Sequence, residues 1–215
     1  RTIDYTFIGF DQEGNNVEQS ADFDFFNPKF GVFYQMNQNR SAYASFAVAN
    51  KEPNRNDFVE SSPDSRPQHE TLFDTELGYK INGNKLQFGI NAYYMIYENQ
   101  LVLTGQINDV GAYTRTNIDY SERKGIEVEA AYVISEKLKW VGNATFSENK
   151  IANFTEYVDN WDTWGQETIQ YEDTDISFSP DLIWASTFSY QLNNNLNAQF
   201  ISKYGLDLPF GLSLI

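Results

Sequence analysis

The sequence predicts an all-β fold, namely an antiparallel, up-and-down transmembrane β-barrel segment of about nine strands from a larger barrel. Two observations predict it. Long segments alternate between apolar and polar residues, as strands with one apolar face do. The connections between them are alternately very short and very long, which is typical of outer-membrane barrels with tight turns at one end and large loops at the other.

The segment 72–81 shows the alternation most clearly. Phe73 and Leu77 lie on one face of the predicted strand, whereas Asp74 and Glu76 lie on the other. The Asn-Gly pair at 82–83 then supplies the positive φ angles of a tight hairpin turn, and a return strand follows. The other tight turns are predicted at 36–40, 135–137 and 193–195.

Six strands flank the turns at 82–84, 135–137 and 193–195, and their apolar faces carry no charged residue, although 21% of the chain is charged. A Lys or Arg at the middle of a bilayer costs about 2–4 kcal/mol, so this pattern favours contact with lipid. The opposite faces are therefore expected to line a lumen. They carry the charged residues Asp74, Glu76, Lys80, Glu127, Glu129, Lys139 and Lys203.

A soluble β-sandwich also alternates apolar and polar residues, but two features weigh against it. The predicted strands are longer than the average of about 5–6 residues. Aromatic residues also lie on the apolar face close to the tight turns, where a membrane-interface belt would lie. These aromatic residues are Tyr79, Phe88, Tyr132, Trp140 and Tyr190.

The other segments complete the expected sheet. Residues 2–9 are predicted to form one strand, 28–36 and 41–49 a hairpin, and 10–27 an outer loop. An odd strand count does not close a bacterial barrel, so the sheet is expected to have open edges. Long irregular loops are expected at 50–70, 98–119 and 149–180.

Composition excludes several kinds of partner and site. The net charge of −15 argues against nucleic-acid binding, which needs clustered Lys and Arg. The chain has no cysteine, and its single histidine, His69, is expected in a surface loop, so no transition-metal site and no cofactor are predicted.

Several pairs of carboxylates two residues apart, Asp74 and Glu76 among them, have a simpler explanation than a catalytic or metal site. Glu127 and Glu129 could serve a glycosidase, yet they fit a lumen lining better. The pairs at 22/24 and 173/175 lack the remainder of a calcium-binding loop. We therefore predict no catalytic residues and no enzyme activity.

The segment 149–180 is the candidate substrate-binding element. It carries Tyr157, Trp161, Trp164 and Tyr171 among many carboxylates, and residues 151–202 contain no Lys or Arg. Aromatic planes stack on sugars or chelated ligands, and the negative field favours cationic or neutral cargo over anionic chelates. The alternative is an ordinary solvated outer loop.

Five segments resemble the C-terminal barrel of TonB-dependent outer-membrane receptors, in the form found in Bacteroidetes-type bacteria. They are FNPKFG at 26–31, AYASF at 42–46, NKEPNRND at 50–57, LTGQINDVG at 103–111 and SERKGIEVE at 121–129. The resemblance extends from about residue 22 to 203 and depends on the order and spacing of the segments together. It divides the chain into a partial barrel, 1–204, and an atypical or truncated tail, 205–215.

The resemblance implies a wall section of a barrel of about 22 strands in the outer membrane of a Gram-negative bacterium. Such receptors take up a scarce solute, such as siderophore-iron, cobalamin, haem or a glycan, with energy from TonB. The implied partners are outer-membrane lipid, a plug domain and TonB, the last two through upstream segments that these residues do not include. The fragment alone is not expected to transport. The alternative is a soluble or surface-attached β-rich module that binds glycans.

Overall fold

Each predicted tight turn returns the chain antiparallel to the preceding strand, and the sheet is built from these hairpins. The computed structural model describes residues 1–10, 14, 16, 18–59, 66–108 and 111–206. The strands are β1 (Thr2–Phe7), β2 (Gln19–Asp24), β3 (Lys29–Asn37), β4 (Arg40–Lys51), β5 (Glu70–Asn82), β6 (Leu86–Ile107), β7 (Tyr113–Val133), β8 (Leu138–Asn160), β9 (Gly165–Asp175), β10 (Leu182–Asn193) and β11 (Leu196–Leu206).

Within the described residues the main sheet has nine antiparallel strands, which confirms the predicted fold class and number of strands. Eight lie side by side in the order β3-β4-β5-β6-β7-β8-β10-β11, and β9 pairs with the end of β8. The set of strands that forms the main sheet differs from the predicted set, because β1 instead forms a separate hairpin with β2. Part of the expected loop 10–27 is therefore a strand, in which Ala21 and Phe23 alternate with Asp22 and Asp24.

The apolar face of the sheet is exposed, as expected for a surface that contacts lipid. Leu77 is 58% exposed, Phe146 55% and Phe200 69%, and Ile90 lies opposite Val128 on the same face. The buried apolar residues lie elsewhere, at Phe25, Phe58, Ile118, Ile151 and Phe154. The prediction that this face does not converge on a dry protein centre is confirmed.

The exposed part of the apolar face forms a strip across the sheet, which we call the apolar band. On the side away from the tight turns, this band ends at a cluster of polar and aromatic side chains. The Tyr94 hydroxyl donates to Glu122 at 2.8 Å, and Tyr120 donates to the same carboxylate at 3.0 Å. Lys124 lies 3.1 Å from both Glu122 and Glu148. Tyrosines and ion pairs of this kind suit the membrane–water interface, so the cluster marks the outer limit of the band.

Three strands continue far beyond this limit, so the expected loops at 98–119 and 149–180 are largely strands. β6, β7 and β8 contain 22, 21 and 23 residues, and β9 returns beside the outer part of β8. A small buried cluster of Ile118, Ile151 and Phe154 holds these extensions together. The sequence does not show them because their faces lack the regular apolar alternation of the band.

Helix is scarce in the described residues, and β11 reaches into the predicted C-terminal tail. The one helix among the described residues, α1 (Arg55–Val59), is a single short turn in the expected loop 50–70. Among all the described residues, no helix has the length and apolar character needed to cross a membrane. Gly205 and Leu206 of the predicted tail 205–215 still belong to β11, and residues 207–215 lie outside the described residues.

Aromatic side chains cover two glycines on the polar face of the sheet. The Tyr43 ring lies over Gly78, and its hydroxyl donates to Asn91 at 3.0 Å; Tyr93 covers Gly125 in the same way. A Cβ at position 78 would overlap the Tyr43 ring. The absence of a side chain therefore creates the space that the ring fills.

We expect Gly78→Ala to lower the unfolding free energy of the full-length protein by about 1–3 kcal/mol, because Tyr43 must leave its rotamer and lose its hydrogen bond. Denaturant unfolding in lipid vesicles measures the change. Gly31→Ala is the control, since a Cβ there meets only ordinary contacts, the nearest at 3.6 Å. Equal losses in the two variants would contradict the covering role of Tyr43.

Candidate functional site

The tip of the β8–β9 hairpin presents two tryptophans to solvent. Asn160 and Gly165 are the last ladder pair, and Trp161 and Trp164 lie in the turn between them. The indoles are 73% and 85% exposed, their centroids are 6.2 Å apart and their planes are nearly perpendicular at 83°. Tryptophan is enriched among the residues that contribute most to binding, so an exposed pair of indoles is a candidate binding surface.

The turn that carries the indoles is held by a polar side chain. The Asn160 side-chain oxygen accepts hydrogen bonds from the backbone N–H of Asp162 at 2.9 Å and of Thr163 at 3.2 Å. Trp164 has a φ of 55°, in the left-handed region that closes the turn. The backbone beneath the two rings is therefore set by specific bonds.

Gln166 links this hairpin to the neighbouring β6–β7 hairpin. Its side-chain amide donates to the carbonyl oxygen of Gly105 at 2.8 Å and to Asp159 at 2.9 Å. Its side-chain oxygen accepts from the backbone N–H of Ile107 at 3.2 Å. One side chain thus satisfies groups on both hairpins, which we call the Gln166 clasp.

We expect Gln166→Ala to expose the Ile107 amide and to loosen the two hairpins by about 1–3 kcal/mol, from hydrogen bonds worth about 0.5–1.5 kcal/mol each. Hydrogen exchange of the full-length protein measures the Ile107 amide directly. Gln170→Ala, on an exposed position of the same strand, is the matched control. Unchanged protection of Ile107 in Gln166→Ala would show that the clasp contributes nothing.

The other two predicted site residues belong to the framework of the hairpin. The Tyr171 hydroxyl donates to Glu156 at 2.9 Å, which raises the pKa of Tyr171, and its ring lies beside Phe154. Tyr157 pairs with Thr168 in the ladder. The structure therefore brings Trp161 and Trp164 together and separates both tyrosines from them. The binding role of all four aromatic residues remains a prediction.

The charge around the tip is negative. Residues 151–202 contain no Lys or Arg, and the nearest preceding cation, Lys150, is paired with Asp175 at 2.7 Å. Asp162 lies in the turn between the two indoles and is exposed. A positively charged group approaching the tip would meet no competing cation from this part of the chain.

Comparison with protein families identifies the fold. Residues 4–211 match the family model described as TonB dependent receptor-like, beta-barrel. The chain belongs to this family. The predicted family and its location in the outer membrane of Gram-negative bacteria are thereby confirmed. Comparison with curated protein sequences finds no significant match.

Solved structures of TonB-dependent receptors have the same fold as this chain. The FrpB iron transporter of Neisseria meningitidis (F3-3 variant) is 18% identical with a TM-score of 0.61, over 91% of this chain and 28% of that one. The ferric-catecholate import receptor Fiu of E. coli K12 is 17% identical with a TM-score of 0.63, over 88% and 26%. The chain thus spans about a quarter of the length of these receptors.

In this TonB-dependent receptor barrel, the paired carboxylates line the polar face of the sheet, as expected. Glu127 and Glu129 lie on the face opposite Val128, and Glu129 is 3.8 Å from Lys80 on a neighbouring strand. The described residues contain no group of three or more His, Cys, Asp or Glu side chains able to hold a metal ion.

His69 lies in the loop before β5, as predicted, but it is more buried than a free surface residue. The ring is half-buried and lies 5.2 Å from the Phe25 ring and 6.0 Å from the Phe23 ring. The contact arises because β2 and the start of β5 lie close together, which a local sequence pattern does not reveal.

A groove beside β1 of this receptor barrel was not predicted from the sequence. The β1 strand and the segment after β4 enclose a groove of about 390 Å³. Its walls combine aromatic rings with charged side chains, and the Tyr5 hydroxyl donates to the Pro53 carbonyl oxygen at 3.2 Å. Burial raises the pKa of Tyr5, and Glu52 adds to this effect. The lining residues are Tyr5, Phe7, Lys51, Glu52, Pro53, Asn54 and Arg55.

Proposed function

We propose that this chain is a wall section of a receptor that imports a scarce solute across the outer membrane with energy from TonB. The observation that carries the proposal is a family-matched sheet whose apolar face is exposed along the band. A soluble glycan-binding module, the alternative, would bury such a face in a core. In the proposed receptor the sheet separates lipid from a polar lumen.

The proposed cargo is a siderophore-iron complex, cobalamin, haem or a glycan. The similar structures include an iron transporter, a ferric-catecholate import receptor and a ferric enterobactin receptor in complex with enterobactin. The negative field around the β8–β9 tip favours neutral or cationic members of this range over anionic ones. A plug domain and TonB are the proposed partners, and they would act through parts of the receptor beyond the residues of this chain.

We assign capture of the solute to the two exposed indoles at the hairpin tip. Trp161 and Trp164 lie on an extension of the sheet beyond the interface cluster, where a solute arriving from outside would meet them first. The Gln166 clasp and the Asn160 turn hold the rings in place, so little ordering is needed on binding. Tyr157 and Tyr171 support the hairpin, and their direct contact with the solute stays a prediction.

Uptake by the full-length receptor tests both parts of the proposal. Cells that depend on the receptor are supplied with each class of scarce solute, with and without TonB, and growth and uptake are measured. We expect uptake of one class that disappears without TonB. Uptake that is equal in both strains, or uptake of none of the classes, would contradict the importer.

The capture site is tested in the same cells with the double variant Trp161→Ala and Trp164→Ala. Stacking on one ring contributes about 0.5–1.5 kcal/mol, so we expect about a tenfold rise in the half-saturating solute concentration. Phe178→Ala removes another aromatic side chain, one that is 91% exposed, and serves as the control. Unchanged uptake in the double variant would remove the tip from the binding site.

A further inference from the structure

The two indoles at the hairpin tip form a corner with aromatic walls. Their planes meet at 83° with the centroids 6.2 Å apart, so the faces of the two rings border the same space. Both rings are largely exposed, at 73% and 85%, and this corner is therefore open to a ligand. We call it the Trp161/Trp164 corner.

The corner favours a positively charged group. The face of an indole carries negative electrostatic potential and attracts a cation placed within about 6 Å of the ring centroid. Asp162 lies between the two tryptophans in the same turn, and Asp159 and Glu167 belong to the strand ends that flank it. Because residues 151–202 contain no Lys or Arg, no nearby side chain of this segment competes for the corner.

The shape of the tip narrows the kind of cation. Within the described ranges no set of carboxylates is arranged to hold a metal ion, so a small inorganic cation has no cage of ligands here. A sugar ring would stack on one indole face and could donate its hydroxyl groups to the carboxylates, but it carries no positive charge for the negative surround to attract. A compact, weakly hydrated organic ammonium group fits two perpendicular aromatic faces and a negative surround together.

We infer that the Trp161/Trp164 corner binds an organic ammonium group, either as a free small cation or as part of a larger cargo. This inference deepens the capture role assigned above and rests on it. Two consequences follow from the geometry. Affinity depends on both indoles and on the charge of Asp162, and it falls as salt screens the exposed charges.

The test is calorimetric titration of the full-length receptor in an uncharged detergent that lacks a choline head group. The probes are choline and 3,3-dimethylbutan-1-ol, which has the same shape with carbon in place of the charged nitrogen. We expect choline to bind at least about 5-fold more tightly than its neutral isostere, as cation–π contacts at exposed sites predict. Methyl glucoside is the third probe, and weaker binding than choline is expected.

Variants assign the binding to the corner. Trp161→Ala and Trp164→Ala are each expected to weaken choline binding about 5-fold, and Asp162→Asn about 2-fold. Trp161→Tyr retains an aromatic face and is expected to lose less than Trp161→Ala. Phe178→Ala should bind choline as the parent does, and it also shows that loss of an exposed ring does not itself disturb the receptor.

Each outcome decides the inference. Equal binding of choline and its isostere, tighter binding of methyl glucoside, or choline binding that survives both tryptophan variants would overturn it. If choline does not bind while TonB-dependent uptake persists, the ammonium inference fails alone. If choline binds at the corner but no solute is imported, the inference about ligand chemistry stands and the importer proposal fails.

Discussion

Val128→Lys in the full-length receptor is expected to lower the stability of the folded barrel by about 2–4 kcal/mol, the cost of a lysine near the middle of a bilayer. Val128 lies midway between Lys124, at the outer limit of the apolar band, and Tyr132, near the tight turn. It lies opposite Ile90 on one side and Ala144 on the other. A charge at this position has no polar neighbour within the band.

The matched control is Glu127→Lys, one residue earlier on the opposite face of the same strand. Because Glu127 faces the polar side of the sheet, we expect the change there to stay within about 1 kcal/mol. Denaturant unfolding in lipid vesicles and the amount of folded receptor in the outer membrane measure both variants. Equal losses, or a larger loss at position 127, would show that the faces have been assigned the wrong way round.

Gly105→Ala is expected to separate the two outer hairpins. Gly105 lies at a register shift in β6 with a φ of +83°, which costs a non-glycine residue about 1–2 kcal/mol. An added Cβ would also overlap the carbonyl oxygen of Tyr157, and relieving that overlap costs about a further 1–3 kcal/mol. The movement would break the bond from Gln166 to the Gly105 carbonyl, so faster hydrogen exchange is expected across the outer part of β8 and β9.

Two other glycines separate the causes of this loss. Gly111 has a similar φ of +80° but nothing within 4 Å of an added Cβ, so Gly111→Ala measures the conformational cost alone. Gly165→Ala, at the hairpin tip, is the control without a close contact, since the nearest atom to an added Cβ would be 3.8 Å away. If Gly105→Ala exchanges no faster than Gly111→Ala, the close contact with Tyr157 has no effect on stability.

The band of the sheet could be predicted from the sequence because local rules decide it. Leu77 and Asp74 fall on opposite faces through the two-residue period of a strand. The detail of the turn was predicted wrongly, because Asn82 belongs to β5 and neither Asn82 nor Gly83 has a positive φ. The hairpin is instead closed by the short connection 83–85, and its register pairs Asn82 with Gln87. Every strand of the band must then direct its apolar residues toward lipid and its polar residues toward water. A local pattern therefore contained most of the information about the wall.

The outer extensions could not be predicted in this way, because distant contacts hold them. Gln166 joins Gly105 across 61 residues of sequence, and Ile118 packs against Ile151 and Phe154. The candidate site shows the same division. The sequence groups four aromatic residues in one segment, and only the pairing of β8 with β9 shows which of them lie in the ladder and which in the turn.

The four tryptophans of the chain fall into two environments that light can distinguish. Trp140 and Trp184 lie half-buried in the band, where Trp140 donates from its ring nitrogen to Ser186 at 2.8 Å, so their emission should be blue-shifted and quenched by brominated acyl chains. The pair at the tip should emit at longer wavelength and respond to acrylamide instead. Intrinsic fluorescence from one sample would therefore report insertion into the bilayer and occupancy of the tip as separate signals.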